Sequence, residues 1–359
     1  MGAVLTVWRV SSGTDWRGHS LRTLLLALLG LGLVLGAPAG GQSCPATVVP
    51  LVQGLSNPRG LALGPDGALY LAEVGTPETG GRVSRLWPDG RWEVLLSGLP
   101  FFTHWTGETV GTTALALRRG DLYLLQGEGP GPLASALLRL PAGARTPEKV
   151  ADLFAFFFAE RYDPVTALQT NPTASPTVES NPFALLSDEA TDQFFVVDSA
   201  ANALVAVSPE GSITRLAVWP DNPVPTGLVR GPDGALLIAL FSPFPFAPGS
   251  GRVDRLAPDG RLRPALTGLT MPIGLAVDRQ GRLIVLEFAQ GFQVASGFHP
   301  RSGRLLRLEG ALRTVLADHL PYPTAVLAAP DGTFYLSLNG AFAPPGSGQV
   351  VRLIPCDRG

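Results

Sequence analysis

A turn motif that returns along the chain is the strongest constraint on its fold. The segment NPRGLALGPDGALYLAE, residues 57–73, recurs as VPTGLVRGPDGALLIAL, residues 224–240. In both copies the GPDG tetrapeptide suits a tight turn, because proline presets one φ angle and aspartate and glycine tolerate the angles that follow. The apolar residues on either side of the turn are typical of short strands. The sequence therefore predicts repeated antiparallel hairpins.

Each predicted hairpin is followed by two further strands. After the first copy, GRVSRL alternates apolar and polar residues, WPDG suits a second turn, and RWEVLL is a fourth strand. Six such units follow one another with a period of roughly 45 residues. They begin near Asn57, Gly111, Asn181, Val224, Met271 and Tyr322. A small sheet can bury both faces only against its neighbours, so we predict an all-β, six-bladed β-propeller of NHL- or YWTD-like type.

The sixth unit lacks a fourth strand. The chain ends at VVRLIPCDRG, whereas CPATVVPLVQGL, residues 44–55, precedes the first unit and belongs to none. We predict that this N-terminal strand closes the last blade. Cys44 and Cys356, the only cysteines, then fall where the turn between the third and fourth strands would be, and a disulfide would replace the missing covalent link. Two unpaired thiols are the alternative.

The first forty residues differ from the rest of the chain. Arg17 and Arg22 precede the apolar run LLLALLGLGLVLG, and APAGG follows it. This order predicts a signal peptide over residues 1–41, cleaved near residues 39–43, and a bacterial protein exported to the periplasm or the extracellular space. An uncleaved anchor is the alternative, but the run is shorter than the roughly 20 residues of a spanning helix. We expect a single propeller domain over residues 44–356 and no membrane span after cleavage.

The charge of the chain excludes some partners. The formal net charge is −2, charged residues are 16% of the sequence, and the arginines are scattered singly. This gives no electrostatic footprint for nucleic acid. The sequence also contains no glycine-rich phosphate loop and no GxSxG nucleophile elbow. A small molecule, a glycan or a protein remains as the class of partner, and we expect a monomer.

Several segments outside the turns are more distinctive than the turns themselves. They are KVADLFAF, ESNPFALL, FPFAPGSGRVDRL, GRLIVLEF and the closing GQVVRL. With the GPDG hairpins, these segments resemble the ScyD/ScyE family of exported propellers, which is related to the NHL-repeat superfamily. The resemblance implies an exported propeller and assigns no reaction. Leu240 departs from the pattern, because an acidic residue is expected after ALLIA.

Carboxylates end the second strands of blades one, three and five. In a propeller these strands end on the face where ligands usually bind, and the residues are Glu73, Asp198 and Glu287. Such a near three-fold set of oxygen ligands could hold Ca²⁺. The alternative is that each carboxylate stabilises its own blade by accepting backbone N–H bonds or pairing with an arginine.

Long connections supply an aromatic surface on the same face. We predict inserted loops over residues 154–180, 241–250 and 288–302, and loops of this length usually have a role. A predicted groove for an apolar or aromatic ligand uses residues from the first two loops and from the starts of the inner strands: Arg59, Phe157, Phe158, Tyr162, Phe183, Phe244 and Phe246. The alternative is a short helix whose phenylalanines simply cover the propeller.

Two functions follow from these residues. The first is an exported binding or scaffold protein whose ligand lies on the loop-rich face. The second is a metal-assisted lactonase or lyase at the mouth of the central channel, with His104 as base beside Glu108. The starts of the inner strands lack the Glu, Asn and Asp set of a gluconolactonase-type site, which counts against a lactonase. The sequence leaves open whether the protein is an enzyme.

Overall fold

The computed structural model describes residues 46–104, 106–159, 179–310 and 312–356. Within them, six four-stranded antiparallel sheets form the blades of a six-bladed β-propeller, so the predicted fold class is confirmed. Helix α1 (Leu153–Ala159) is the single helix in these residues. No helix in this part of the chain has the length and apolar character needed to cross a membrane.

The strands follow the repeat. Strand β1 (Thr47–Leu55) comes first and belongs to the sixth blade. Blade one contains β2 (Pro58–Leu63), β3 (Leu69–Thr76), β4 (Gly80–Leu86) and β5 (Trp92–Leu99). Blade two contains β8 (Thr112–Arg118), β9 (Asp121–Gln126), β10 (Ala136–Leu140) and β11 (Glu148–Asp152). Blade three contains β12 (Pro182–Asp188), β13 (Gln193–Asp198), β14 (Ala203–Val207) and β15 (Ile213–Val218).

The fourth and fifth blades continue this order. Blade four contains β16 (Pro225–Arg230), β17 (Leu236–Leu240), β18 (Gly251–Leu256) and β19 (Leu262–Leu269). Blade five contains β20 (Pro272–Val277), β21 (Leu283–Glu287), β24 (Gly303–Glu309) and β25 (Leu312–Leu320). Two small hairpins lie outside the blades: β6 (Phe102–Thr103) with β7 (Thr109–Val110), and β22 (Phe292–Gln293) with β23 (Gly297–Phe298). Both hairpins belong to connections at one end of the propeller.

The N-terminal strand closes the ring, as predicted. The sixth blade contains β26 (Ala325–Ala328), β27 (Phe334–Leu338) and β28 (Gly348–Ile354), and β1 pairs antiparallel with β28. The register joins Thr47 to Ile354, so the residues that lead to Cys44 and to Cys356 lie side by side. The described residues contain no free cysteine, but Cys44 lies outside them, so the disulfide stays a prediction.

Small residues let the inner strands approach one another around the axis. A Cβ atom on Gly60 would lie 2.8 Å from the Cα atom of Ala114 in the next blade. A Cβ atom on Gly227 would lie 3.2 Å from the Cα atom of Gly274. Both glycines stand two residues after the proline that begins an inner strand. The small residue after each proline therefore serves packing between adjacent blades.

Threonine hydroxyls join adjacent blades at the same level. Thr113 Oγ1 donates to the carbonyl oxygen of Pro182 at 2.8 Å, and Thr324 Oγ1 donates to that of Pro58 at 2.7 Å. Thr226 does the same to the first residue of blade five at 2.8 Å. The Thr324 bond spans the closure between blades six and one. These buried bonds fix the inner strands at the mouth of the channel.

Candidate functional site

A cavity of about 900 Å³ lies at the end of the propeller that carries the long connections. The residues around it come from the connections between second and third strands, from those between blades, and from the starts of the inner strands. The polar ones include Arg59, His104, Thr106, Glu108, Glu128, Glu179, Asn181 and Ser199. The aromatic ones are Phe183, Phe241, Phe244, Phe246, Phe288, Phe292, Phe298, Tyr322 and Phe342. The cavity therefore has a polar side, from blades one to three, and an aromatic side, mostly from blades four to six.

The aromatic side is a connected set of rings. The centroid of Phe298 lies 4.8 Å from that of Phe292, 5.4 Å from that of Phe246 and 5.2 Å from that of Phe342. Phe288, in the core between blades five and six, lies 5.1 Å from Phe298. Because edge-to-face and tilted ring pairs restrict one another, this wall is held in place before any ligand binds.

The polar side centres on His104 and Glu128. His104 is in the β6–β7 hairpin, and its Nε2 lies 3.3 Å from Oε2 of Glu128, which follows the second strand of blade two. Burial raises the pKa of Glu128 above its usual value, and the nearby carboxylates of Glu179 and Glu108 act in the same direction, while His104 opposes them. A carboxyl group with a raised pKa in a cavity is a candidate for proton transfer.

Arg59 joins the hairpin to the axis of the propeller. Its side chain is almost completely buried, and its Nε donates to the carbonyl oxygen of Gly340 at 3.0 Å. Its Nη2 donates to the carbonyl oxygen of Thr109 at 2.8 Å and lies 3.4 Å from Oε1 of Glu108. The guanidinium carbon also lies 5.7 Å from the centre of the Phe183 ring. Arg59 thus positions Glu108 on the wall of the cavity.

The structure separates the predicted aromatic residues into two groups. Phe244 and Phe246 line the cavity, together with Phe183 and Arg59. Phe157 does not: it has no exposed surface and lies in the core between blades two and three.

Phe157 is buried because residues 152–159 continue from β11 into the helix α1. There Phe157 and Leu153, four positions apart, face the core, whereas Phe158 is 66% exposed on the outside. This segment is therefore the short helix that was the alternative to a ligand-binding loop. The predicted ligand role of Phe157 and Phe158 is replaced by a packing role and a surface position. Tyr162 lies outside the described residues.

Two of the three carboxylates predicted to hold calcium accept hydrogen bonds from groups near their own strands. Glu73 Oε2 accepts from Arg82 Nε at 2.7 Å, and its Oε1 accepts from Arg82 Nη2 at 2.8 Å and from the Ser56 N–H at 2.9 Å. Asp198 Oδ2 accepts from Ser180 Oγ at 2.6 Å, and its Oδ1 accepts three backbone N–H groups. Burial raises the pKa of Asp198 to about 6 in spite of these bonds.

The third carboxylate is held in the same way. Glu287 Oε1 accepts from the Thr270 N–H at 2.7 Å, and its Oε2 accepts from Gln290 Nε2 at 2.8 Å. The described residues contain no group of three or more His, Cys, Asp or Glu side chains that could hold a metal ion. The structure therefore does not bring Glu73, Asp198 and Glu287 together, and each stabilises the turn beside its own strand.

Sequence reasoning found His104 and Glu108 but missed their neighbours. Glu128 and Glu179 line the same cavity, and the rings of Phe292 and Phe298 complete its aromatic side. A sequence signal was available for Glu128 and for the two rings. Glu128 lies two residues beyond the second strand of blade two, and the two rings fall in the predicted loop 288–302.

No family model matches the sequence, and no curated protein matches it either. The resemblance to the ScyD/ScyE family therefore stays a prediction. The structure does match many solved ones. A gluconolactonase from Xanthomonas campestris is 15% identical, with 86% of this chain and 90% of that chain covered and a TM-score of 0.56. Regucalcin, a calcium-binding protein from Agrobacterium tumefaciens, is 14% identical, with 87% and 95% covered and a TM-score of 0.56.

Virginiamycin B lyase from Staphylococcus aureus is similar as well. It is 12% identical, 88% of this chain and 89% of that chain are covered, and the TM-score is 0.51. All three are six-bladed β-propellers. At these identities the likeness establishes the fold and no activity. Fold and site together define this chain as a six-bladed β-propeller with a half-aromatic cavity at its loop-bearing end.

Proposed function

We propose that this chain is a binding protein for a small molecule with an apolar or aromatic body, which it takes up in the cavity at the loop-bearing end. The observation that carries the proposal is a cavity of about 900 Å³ with one wall built from packed aromatic rings. Ligand pockets typically have volumes of roughly 300–1,000 Å³ and are mostly apolar, with a few placed polar groups. This cavity has both properties.

The aromatic wall supports binding without rearrangement. Phe241 and Phe288 are buried in the hydrophobic core, and Phe246 packs against that core. Their positions are set by the blades rather than by the ligand. A wall that is ordered in advance saves the entropy of immobilising side chains on binding.

We also infer that the protein is exported and acts outside the cytoplasm. The predicted signal peptide supports this, and the register of β1 with β28, which leads the chain from Thr47 towards Cys44 and from Ile354 towards Cys356, is compatible with a disulfide across the closure. Mass spectrometry of the secreted protein, with and without reductant, measures both the cleavage point and the state of the two thiols. Two alkylatable cysteines in the non-reduced protein would contradict the disulfide.

The experiment that tests the binding function is a thermal-shift screen of neutral aromatic molecules, with each hit measured by calorimetry on two variants. Phe244→Ala removes a half-exposed ring from the cavity wall, so we expect weaker binding. Phe158→Ala is the matched control, because its ring is also exposed but lies outside the cavity. Equal affinity in both variants and the unaltered protein would place the ligand elsewhere.

A second candidate is an enzyme that works by proton transfer. The observation that favours it is the His104–Glu128 pair inside the cavity, where the raised pKa of Glu128 suits a general acid or base. The fold is shared with a gluconolactonase and a lyase. Turnover of lactones and cyclic esters that disappears in Glu128→Gln and persists in Glu78→Gln, an exposed carboxylate outside the cavity, would establish it. Turnover unchanged in Glu128→Gln would exclude this pair.

A further inference from the structure

We propose that the ligand of this cavity is an amphipathic cation, with an aromatic or apolar body against the phenylalanine wall and a protonated amine between the carboxylates of the polar wall. This inference deepens the proposed binding function and rests on it. It names the charge of the ligand, which the aromatic wall alone leaves open.

The balance of charge on the polar wall is the first support. Among the described residues that line the cavity, Glu108, Glu128 and Glu179 carry carboxylates, and Arg59 carries the one permanent positive charge. His104 is charged only when it is protonated. Acidic side chains therefore outnumber the permanent cation among these described lining residues.

The single guanidinium is already engaged. Arg59 is 2% exposed, and it donates to the backbone carbonyl oxygens of Gly340 and Thr109 as well as lying beside Glu108. Among the described residues, the imidazole of His104 is the basic group beside Glu128, with its Nε2 atom 3.3 Å from Oε2.

The cost of burying the Glu128 carboxylate is the second support. Burial raises the pKa of Glu128, and Glu179 and Glu108 act in the same direction against His104, so the ionised form of Glu128 is disfavoured. A cation placed among the three groups would offset the unfavourable interactions of the ionised carboxylates with one another. An anionic ligand would add to them, because it would meet three carboxylates in a partly desolvated site.

The opposite wall also favours a cation. The faces of aromatic rings carry negative charge density and attract an ammonium group that approaches within about 6 Å. Phe183 lies on the polar side and already contacts the Arg59 guanidinium in this manner. An amine that leaves the carboxylates therefore still finds favourable surfaces.

The test is a series of three ligands with one body and three charges. The probes are 2-(1-naphthyl)ethylamine, 2-(1-naphthyl)ethanol and 1-naphthylacetate, each titrated calorimetrically into the full-length mature protein at about pH 7.5, where the amine is protonated. We expect the amine to bind about tenfold or more tightly than the alcohol, since a hydrogen bond to a charged group contributes about 1.5–3 kcal/mol and about 1.4 kcal/mol corresponds to tenfold. We expect the acid to bind most weakly.

Variants separate charge from shape. Glu128→Gln keeps the shape of the side chain, so we expect it to weaken the amine about tenfold and to leave the alcohol unchanged. Glu78→Gln, the exposed control, leaves all three unchanged. Thermal melts of each variant confirm that it is folded.

The outcomes distinguish the two proposals. If the three probes bind equally and Phe244→Ala weakens them all, the cation is ruled out and the binding function stands. If the amine binds more tightly but Glu128→Gln has no effect, the carboxylate assignment fails. If none of the three binds, both the cation and the aromatic-binding site fail together.

Discussion

Replacing Glu73 by glutamine distinguishes a carboxylate that stabilises its blade from one that waits for a metal. The Glu73 side chain is 1% exposed and accepts three hydrogen bonds, two of them from Arg82. Glutamine has the same shape, but its amide N–H₂ would face a guanidinium donor. Removing one partner of a buried ion pair costs about 3–5 kcal/mol. Because the Arg82 side chain is 32% exposed and water can solvate it in part, we expect about 2–3 kcal/mol here.

The magnitude can be converted to a melting temperature. Unfolding entropy is about 2.1 cal/mol/K per residue, so for a domain of roughly 310 residues the expected fall is about 3–5 °C. Glu287→Gln is the matched variant. Its carboxylate accepts from the Thr270 N–H and the neutral Gln290 amide, and glutamine retains one acceptor, so about 1 kcal/mol and a fall of roughly 1–2 °C are expected.

The assay is scanning calorimetry of the mature protein and both variants, with added calcium and with chelator. We expect the order of stability to be the same in both conditions, because the bonds that are lost are internal. A melting temperature for Glu73→Gln within about 1 °C of the unaltered protein would refute the ion-pair reasoning. A calcium-dependent rise that both variants abolish would instead restore the metal hypothesis for these carboxylates.

Two further predictions concern packing and pH. Gly60→Ala places a methyl group 2.8 Å from the backbone of Ala114, so we expect the free energy of unfolding, measured with denaturant, to fall by about 1–3 kcal/mol. Gly129→Ala is the control and should be nearly neutral, because no atom would lie closer than 3.5 Å to its methyl group. Equal denaturation midpoints for the two variants would contradict close packing at the axis. Burial raises the pKa of Asp198 from 3.8 to about 6, so the folded state holds this proton more tightly than the unfolded state. Relative to Asp198→Asn, the unaltered protein should therefore gain up to about 3 kcal/mol as pH falls from about 7 to about 4, and a difference independent of pH would show that the hydrogen bonds offset the burial.

The repeat was sufficient to predict the blades and their closure. The GPDG turns and the alternating third strands mark four strands in a unit, and an unpaired strand at residues 44–55 has one vacant position to fill. These signals depend on neighbouring residues or on the number of strands in each unit, so no knowledge of distant contacts is needed. The pairing of Thr47 with Ile354 confirms the result.

The site was predictable only in part, because residues far apart in sequence form it. Glu128 lies in blade two and Phe298 in blade five, and closure of the ring brings both to one cavity. Two phenylalanine-rich segments that look alike in sequence also separate. Phe157 faces the core because α1 turns its apolar side inward, whereas Phe246 faces the cavity because it lies on a connection above blade four.

The sequence by itself determined the number of blades, the strand that closes the ring and the end of the propeller that carries the long connections. These follow from short-range periodicity and from turn chemistry, which act between neighbouring residues. Only the tertiary structure decided that Glu73, Asp198 and Glu287 form hydrogen bonds near their own strands, and that Glu128 lies beside His104 in the cavity. The reason is that a carboxylate's role depends on which donors reach it, and those donors come from other turns and other blades.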